Sequence, residues 1–252
     1  TNSRVHNRKM EGSNLKAGRK ILSLLLAVCM LICMLPTAVF AASNDDYMKV
    51  AMLDSGRKYF TVDWVKSFIY EAKADGYTHV MLAVGNDGMR FLLDDMSLTV
   101  NSKTYSSGAV KSAIQAGNTS YTSASTGEWS ESEMDEIFAA ANAAGIEIIP
   151  LLNSPGHMDA VLSAASSLTG VTCSYNSSVR TIDVTNTTAV AFTQAFIQKY
   201  IDYFAGKGCG YFNMGADEYA NDKTDGFAAA SAGIQQIISG FAELTKNNEA
   251  LT

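Results

Sequence analysis

The sequence predicts an α/β protein whose parallel strands form a (β/α)8 barrel, the TIM-barrel class. Short apolar runs alternate with amphipathic stretches from Tyr47 onward, which is the pattern of βα units around a parallel sheet. The first apolar run is not followed by a glycine-rich phosphate loop, so a dinucleotide-binding fold is not favoured. Each apolar run ends in an unusual polar segment, and in a parallel barrel the functional groups lie where the strands end.

Four strands and four helices are predicted along the chain. The strands are expected at residues 49–53, 78–84, 146–149 and 211–214. The helices are expected where apolar residues recur at helical spacing, at residues 62–74, 130–144, 189–204 and 227–244. The polar segment of residues 85–129 is predicted to be a long functional loop.

The ends of several elements are marked by particular residues. Gly76 and Gly145 are expected to end the first two helices in a left-handed conformation. Ser130 and Glu133 have the spacing of a capping box. Pro150 is expected to close the third strand.

Four βα units make up half of an eight-stranded barrel, and the sequence ends in a helix-like stretch at Thr252. We therefore expect residues 42–252 to be the N-terminal half of a barrel domain that continues beyond this residue. The pocket formed by residues 42–252 alone is expected to be incomplete.

Residues 1–41 are predicted to consist of upstream residues before Met10, followed by a secretory signal peptide. Lys16 and Lys20 precede an apolar run over residues 21–35, and small residues around Ala41 favour cleavage after it. The run is roughly 15 residues long, short of the ~20 that a spanning helix needs, which favours a cleaved signal over a membrane anchor. No stable membrane span is expected after the signal is removed. The mature protein is predicted to be secreted or displayed on a bacterial surface.

The net charge and the cysteine and histidine content limit the binding partners and cofactors that this protein is expected to have. The formal net charge is −6, and residues 1–41 hold six of the 19 basic residues but one of the 25 acidic ones, which leaves −11 for the rest. Such a surface repels phosphate backbones, so nucleic acid is not an expected partner. Cys173 and Cys209 are predicted to be buried thiols, and a disulfide between them after export stays open as the alternative. The histidines lack metal-ligand spacing, and neither a metal nor another cofactor is predicted.

Asp217 and Glu218, adjacent acids at the fourth strand end, are the sharpest candidates for chemistry. Neighbouring strand residues point to opposite faces, so both side chains reach one pocket only where the strand turns into a loop. Two close carboxylates repel when both are ionised, which raises one pKa and keeps a proton available for general-acid catalysis. Taken alone, such a pair is more often a solvated acidic loop, so both interpretations stay open at this point.

Four polar segments follow the predicted strands in order, namely MLDSGRKYF (52–60), GNDGMRFLLDDM (85–96), NSPGHMD (153–159) and GADEYAND (215–222). Together they resemble glycoside hydrolase family 20, the β-N-acetylhexosaminidases. Within this family they are most similar to the streptococcal surface β-N-acetylglucosaminidases, and the bifidobacterial lacto-N-biosidases are also similar. The resemblance covers residues 50–225.

This resemblance implies a substrate-assisted, retaining mechanism instead of the usual pair of enzyme carboxylates. Glu218 would protonate the glycosidic oxygen while the acetamido carbonyl of the substrate attacks C1 to form an oxazolinium ion. Asp217 would orient that acetamido group, and His157 would tune the general acid. The implied substrates are glycans that end in β-linked GlcNAc or GalNAc.

The resemblance also assigns candidate residues for sugar binding. Arg57 matches the family arginine that grips the hydroxyls of the terminal sugar. Asn86 stands where many members carry the first aspartate of an Asp-Asp pair, and Asp87 is expected to substitute for it. Arg90 is interpreted as structural, bracing the long loop.

Two other functions remain open on the same scaffold. One is a carbohydrate-binding or adhesin segment without turnover, and the other is a lacto-N-biosidase. A chitinase-like glycosidase is not favoured, because the pattern Asp-x-x-Asp-x-Asp-x-Glu does not occur in the sequence.

Overall fold

A computed structural model describes residues 47–121, 127–175, 179–216 and 218 of the chain. From Met48 onward they belong to one compact unit, residues 48–252. The predicted signal segment, the predicted helix at residues 227–244 and Asp217 lie outside the described residues. Within the described ranges, none of the helices combines the length and the hydropathy that crossing a membrane requires.

The centre of this unit is a parallel sheet of four strands, β1 (Val50–Asp54), β2 (His79–Asn86), β6 (Glu147–Ser154) and β7 (Asn213–Gly215). They lie in the order β1-β2-β6-β7, so that successive parallel strands are neighbours, as in a (β/α)8 barrel. The short β3 (Gly88–Met89) pairs antiparallel with β2. A separate antiparallel pair is formed by β4 (Leu98–Val100) and β5 (Lys103–Tyr105).

The helices of the described ranges are α1 (Val62–Ala74), α2 (Ser107–Tyr121), α3 (Glu131–Ala144), α4 (Asp159–Thr169) and α5 (Thr187–Gly206). The capping box predicted at the start of α3 is confirmed, because the side chains of Ser130 and Glu133 each accept from the other residue's backbone N–H. Gly76 and Gly145 follow α1 and α3 with φ of +83° and +64°, so these two predicted ends are confirmed as well.

The hydrophobic core brings the sheet and the helices together. Val80, Leu82 and Val84 of β2 are fully buried, as expected for a parallel strand that is covered on both faces. Tyr200 of α5 is also fully buried, and its hydroxyl donates to the Phe91 carbonyl at 2.7 Å. This bond satisfies a polar group whose burial would otherwise be costly.

The predicted long loop over residues 85–129 is wrong, because α2 and three short strands lie within it. Much of α2 consists of small or polar residues, so its hydrophobic periodicity is weak, yet it packs closely. A Cβ on Gly117 would lie 2.5 Å from the carbonyl oxygen of Ala160 in α4. Asn118 ties α2 to β3, since its amide bonds the N–H and the carbonyl of Met89 at 2.7 and 2.6 Å.

Two further differences concern β6 and the chain that follows it. Pro150 does not close the third strand, which continues to Ser154 with Pro150 opposite Leu82. Proline has an extended-compatible φ and removes only one N–H donor, so it need not turn the chain. Helix α4 is absent from the sequence-based prediction, because it is rich in Ser and Ala and Met158 at its N-cap makes no side-chain cap bond.

Candidate active site

The carboxyl ends of the parallel strands meet at one edge of the sheet, where polar side chains join them. Asn86, which ends β2, donates its amide N–H to Oδ2 of Asp54, which ends β1, at 2.8 Å. The amide oxygen of Asn86 accepts from Nδ2 of Asn153 on β6 at 3.2 Å. Asp54, Asn86 and Asn153 thus form a polar row across three neighbouring strands.

Two glycines allow the backbone to approach this polar row. A Cβ on Gly56 would lie 2.3 Å from the backbone nitrogen of Asn86, and one on Gly215 would lie 2.0 Å from Oδ1 of Asn153. Gly215 also has a φ of +68°. Neither position has room for a side chain, which explains why these strand ends carry glycine.

Left-handed backbone is concentrated at the same edge. Asp87, His157 and Glu218 have φ of 60°, 52° and 48°, and Ala216 has a φ of 62°. Such conformations cost energy in residues with a side chain and persist where the surrounding contacts hold them. These turns direct three of the predicted site residues toward one another.

A continuous chain of hydrogen bonds links the predicted site residues. Arg57 Nε donates to Asp87 Oδ2 at 2.9 Å, and Arg57 Nη1 lies 3.4 Å from Asp54 Oδ2. Asp87 Oδ1 lies 2.8 Å from His157 Nδ1. His157 Nε2 lies 2.9 Å from Glu218 Oε2. The structure therefore brings together Arg57, Asp87, His157 and Glu218, from strand ends far apart in sequence.

The hydrogen-bond partners fix the tautomer of His157. Its Nδ1 lies 2.8 Å from a carboxylate oxygen of Asp87 and 3.2 Å from Nη2 of Arg57. Only the carboxylate can accept, and it is the nearer partner, so we assign the proton to Nδ1 with Asp87 as its acceptor. Nε2 is then free to accept a proton from Glu218 or, in the imidazolium form, to donate to it.

Asp87 is the electrostatic centre of this chain. Burial disfavours its charged form, but hydrogen bonds from Arg57 and His157 outweigh burial and hold the pKa of Asp87 below its usual value. The hydrogen bond to Asp87 in turn raises the pKa of Arg57. The Tyr121 hydroxyl at the end of α2 adds a longer contact, 3.4 Å from Asp87 Oδ2.

The two outer residues of this series of hydrogen bonds are exposed to solvent, whereas the two inner residues are buried. The side chains of Arg57 and Glu218 are 46% and 57% exposed, while those of Asp87 and His157 are only 4% and 6% exposed. A ligand at this edge can therefore touch Arg57 and Glu218 directly. Asp87 and His157 could affect such a ligand only through these two residues.

Other predicted and unpredicted residues complete the site. Asn86 is buried, and both ends of its amide are engaged by Asp54 and Asn153. Asp217 lies outside the described residues. Sequence reasoning did not single out Asp54 or Asn153, although each is a polar residue at a strand end and could have been found by that signal. Tyr121 gave no signal, because α2 was not predicted.

Arg90 lies beneath the site and contacts its backbone. It is 1% exposed, and its Nε donates to the Gly56 carbonyl at 3.4 Å. Burial lowers the pKa of Arg90. Its burial agrees with the predicted structural role, and it bonds the carbonyl of Gly127 at 3.5 Å as well as the turn that carries Arg57.

A metal site is not found among the residues that the structure describes, because no group of three or more His, Cys, Asp or Glu side chains could hold an ion there. Cys173 and Cys209 are buried free thiols. Burial raises the pKa of Cys209 to about 12. Thiolate chemistry is therefore not favoured at Cys209.

Two known proteins share substantial sequence identity with this chain. A structure of the pneumococcal virulence factor StrH is 40% identical with a TM-score of 0.70, over 81% of this chain and 50% of that one. A lacto-N-biosidase from Bifidobacterium bifidum is 35% identical over 94 residues, which are 36% of this chain and 8% of that protein. The chain thus spans half or less of the length of these relatives.

A more distant structure shows the fold alone. The family 20 β-N-acetylhexosaminidase of Streptomyces coelicolor A3(2) is 22% identical with a TM-score of 0.54, over 77% of this chain and 37% of that one. The model of the glycosyl hydrolase family 20 catalytic domain matches residues 49–247, which is most of the chain. The chain therefore belongs to glycosyl hydrolase family 20, and strands β1, β2, β6 and β7 are strands of its (β/α)8 catalytic domain.

Proposed function

We propose that this protein is a secreted exo-β-N-acetylhexosaminidase that removes terminal β-linked N-acetylglucosamine or N-acetylgalactosamine from glycans. The observation that supports this most is the bonded chain Glu218–His157–Asp87, which links an accessible acid to a buried, charge-balanced partner. The StrH relative is described as a pneumococcal exo-β-D-N-acetylglucosaminidase with tandem family 20 modules. The chain belongs to glycosyl hydrolase family 20, and the hydrolytic activity, the choice of sugar and the exo action belong to the proposal.

Glu218 is the proposed general acid and base. It gives its proton to the glycosidic oxygen while the carbonyl oxygen of the sugar's acetamido group attacks C1, and the aglycone leaves. Water then attacks C1 of the oxazolinium ion as Glu218 takes up its proton, so the β configuration is retained. Asp217, adjacent in sequence, is proposed to hold the acetamido group and to stabilise its positive charge.

Arg57 and Asp54 are proposed to bind the hydroxyls of the terminal sugar. Asp87 fixes the guanidinium of Arg57 by a 2.9 Å bond, so a ligand meets donors that are already oriented. The carboxylate of Asp54 is 26% exposed and supplies an acceptor beside them. Asn86 and Asp87 are proposed to support this binding face from beneath.

Export is a further part of the proposal. The basic, apolar and small-residue order of residues 1–41 supports a secretory signal ahead of the catalytic residues 42–252. N-terminal sequencing of the protein from culture medium is expected to begin near Ala42. A mature protein that retains residues 21–35 would contradict it.

Glu218→Gln in the complete protein tests the catalytic assignment. We expect kcat for p-nitrophenyl N-acetyl-β-glucosaminide to fall by about 10²–10⁴-fold, because the amide cannot protonate the leaving oxygen. Release of p-nitrophenol measures the rate, and the N-acetylgalactosaminide measures the sugar preference. Glu136→Gln, at an exposed glutamate of α3 that pairs with Lys66, is the control and should keep full activity.

Three outcomes would contradict the proposal. Undiminished hydrolysis by Glu218→Gln would remove Glu218 from its role. Tight sugar binding by the parent protein without turnover would favour the carbohydrate-binding alternative. Cleavage of p-nitrophenyl lacto-N-bioside in place of the monosaccharide substrate would favour a lacto-N-biosidase.

A further inference from the structure

A largely buried carboxyl group that the proposed mechanism does not use lies at the start of α4. The side chain of Asp159 is 11% exposed, and its Oδ1 lies 3.9 Å from Nε of Arg180, whose own side chain is 59% exposed. Its Oδ2 is buried and meets no donor among the described residues. An ionised carboxylate in this position would be poorly compensated.

The backbone places Asp159 against Asp87. The N–H of Asp87 donates to the His157 carbonyl at 2.6 Å, and the N–H of Ala160 donates to the Asp87 carbonyl at 2.9 Å. Asp159 lies between these two contacts in sequence, and burial, followed by the charge and hydrogen bonding of the Asp87 carboxyl, raises the pKa of Asp159. Two carboxyl groups can share a hydrogen bond only if one of them keeps its proton.

The surroundings decide which carboxyl group keeps that proton. Asp87 receives hydrogen bonds from Arg57 and His157, which favour its charged form. Three ionisable groups interact electrostatically with Asp159. They are Asp87 after β2, Arg180 in the loop after α4 and Tyr121 at the end of α2. Burial and then Asp87 raise the pKa of Asp159 to about 6, and the opposing effect of Arg180 is smaller.

We propose that Asp159 is a positioning residue whose protonated carboxyl donates to Asp87 and thereby limits the negative charge beneath the His157–Glu218 pair. This inference rests on the proposed role of Glu218 as the general acid. With Asp159 protonated, Asp87 carries the single negative charge of this carboxyl pair beside His157.

Loss of the Asp159 proton to solvent changes this balance. A second negative charge then favours the imidazolium form of His157. The imidazolium donates Nε2–H to Glu218 and favours its carboxylate, which cannot protonate the glycosidic oxygen. The alkaline limb of the pH profile of kcat/KM is therefore expected to follow the ionisation of Asp159.

Asp159→Asn in the complete protein tests this role, because the amide donates to Asp87 and cannot ionise. We expect activity on the acid side to stay within ~3-fold of the parent and the alkaline limb to move up by roughly one pH unit. Asp63→Asn is the matched control, since Asp63 occupies the first turn of α1 but is exposed. Its profile should match that of the parent.

Three outcomes separate the inference from the function on which it rests. An inactive Glu218→Gln together with an unshifted Asp159→Asn profile would overturn the inference and leave the function standing. A fully active Glu218→Gln would overturn both, because Glu218 would then not be the acid. A Tm of Asp159→Asn lowered at every pH with an unshifted limb would assign Asp159 a structural role and also overturn the inference.

A direct measurement does not depend on any variant. In the parent protein labelled with ¹³C at the aspartate carboxyl carbons, one signal is expected to titrate near pH 6, where the pKa of Asp159 lies. Absence of any aspartate signal that titrates above about pH 5 would overturn the inference, since ordinary aspartates titrate near pH 4.

Discussion

Asp87 accepts hydrogen bonds from several residues of this site. One carboxylate oxygen accepts from Arg57 Nε at 2.9 Å, and the other faces His157 Nδ1 at 2.8 Å. These bonds favour its ionised form although the residue is buried. Asp87 therefore couples Arg57, which is proposed to bind the sugar, with His157, which contacts the proposed general acid Glu218.

Asp87→Asn is expected to lower kcat/KM by about 10²–10³-fold, because the amide no longer selects the Nδ1–H tautomer of His157. Steady-state kinetics on p-nitrophenyl N-acetyl-β-glucosaminide measures the effect. Asp95→Asn removes an exposed carboxylate that pairs with Lys199 and serves as the control. Equal kinetics for parent and Asp87→Asn would show that the tautomer of His157 does not limit catalysis.

Asp159 makes stability depend on pH in a stated direction. Its pKa is raised to about 6 in the folded protein, so the folded state binds more protons than the unfolded state between the unfolded value and 6. Stability from this group is then full below the unfolded pKa and falls as the pH rises toward 6. The ionised group destabilises the fold at neutral pH.

Asp159→Asn is accordingly expected to raise Tm at about pH 8 and to change it little at about pH 4, relative to the parent. Differential scanning calorimetry at the two pH values measures the difference. The exposed Asp63→Asn variant should show no comparable dependence on pH. A Tm gain of equal size at both pH values would argue against a titrating group at position 159.

At the scale of elements, the contact between α2 and α4 positions the site. Helix α4 begins directly after His157 and Met158, and Gly117 of α2 approaches the backbone of Ala160. Asn118 holds α2 to β3, which folds back on the end of β2 beside Asp87. Residues of α2 therefore fix the backbone on both sides of the Asp87–His157 bond.

Gly117→Ala is expected to destabilise the protein by ~1–3 kcal/mol, because overpacking against the Ala160 backbone outweighs the better helix propensity of alanine. Gly108→Ala in the same helix is the control, since a Cβ at Gly108 meets no atom within 4 Å. It should be neutral or stabilising. Urea unfolding measures both, and a stabilised Gly117→Ala would contradict the close contact.

At the scale of the whole molecule, the sequence predicts the barrel strands better than the segments between them. Strands β1, β2 and β6 are mostly apolar runs that stand out against the amphipathic stretches around them, and the capping box at Ser130 marks α3, so local signals suffice there. Helices α2 and α4 have small residues at their contact, and only tertiary packing reveals them. Pro150 misled the prediction for a similar reason, because its neighbours in the sheet hold the strand extended.

In the candidate site, too, the residues at strand ends could be predicted from the sequence, whereas those from the intervening helices could not. Arg57, Asp87, His157 and Glu218 stand in the four strand-end motifs, and the parallel sheet brings them to one edge. The partners of these residues could not be predicted, because Tyr121 comes from α2 and Asp159 from α4. Asp217 lies outside the described residues, and its role stays a prediction.

The close fit of Gly117 against α4 has an evolutionary consequence. Gly117 is buried against the backbone of Ala160, the residue after Asp159, whereas the side chains of Arg57 and Glu218 are exposed. A larger residue at position 117 would displace the backbone of Ala160 and so change the spacing between Asp159 and Asp87. If Asp159 acts as proposed, substitutions at this buried contact would give related enzymes a way to change their working pH without a change at Arg57 or Glu218.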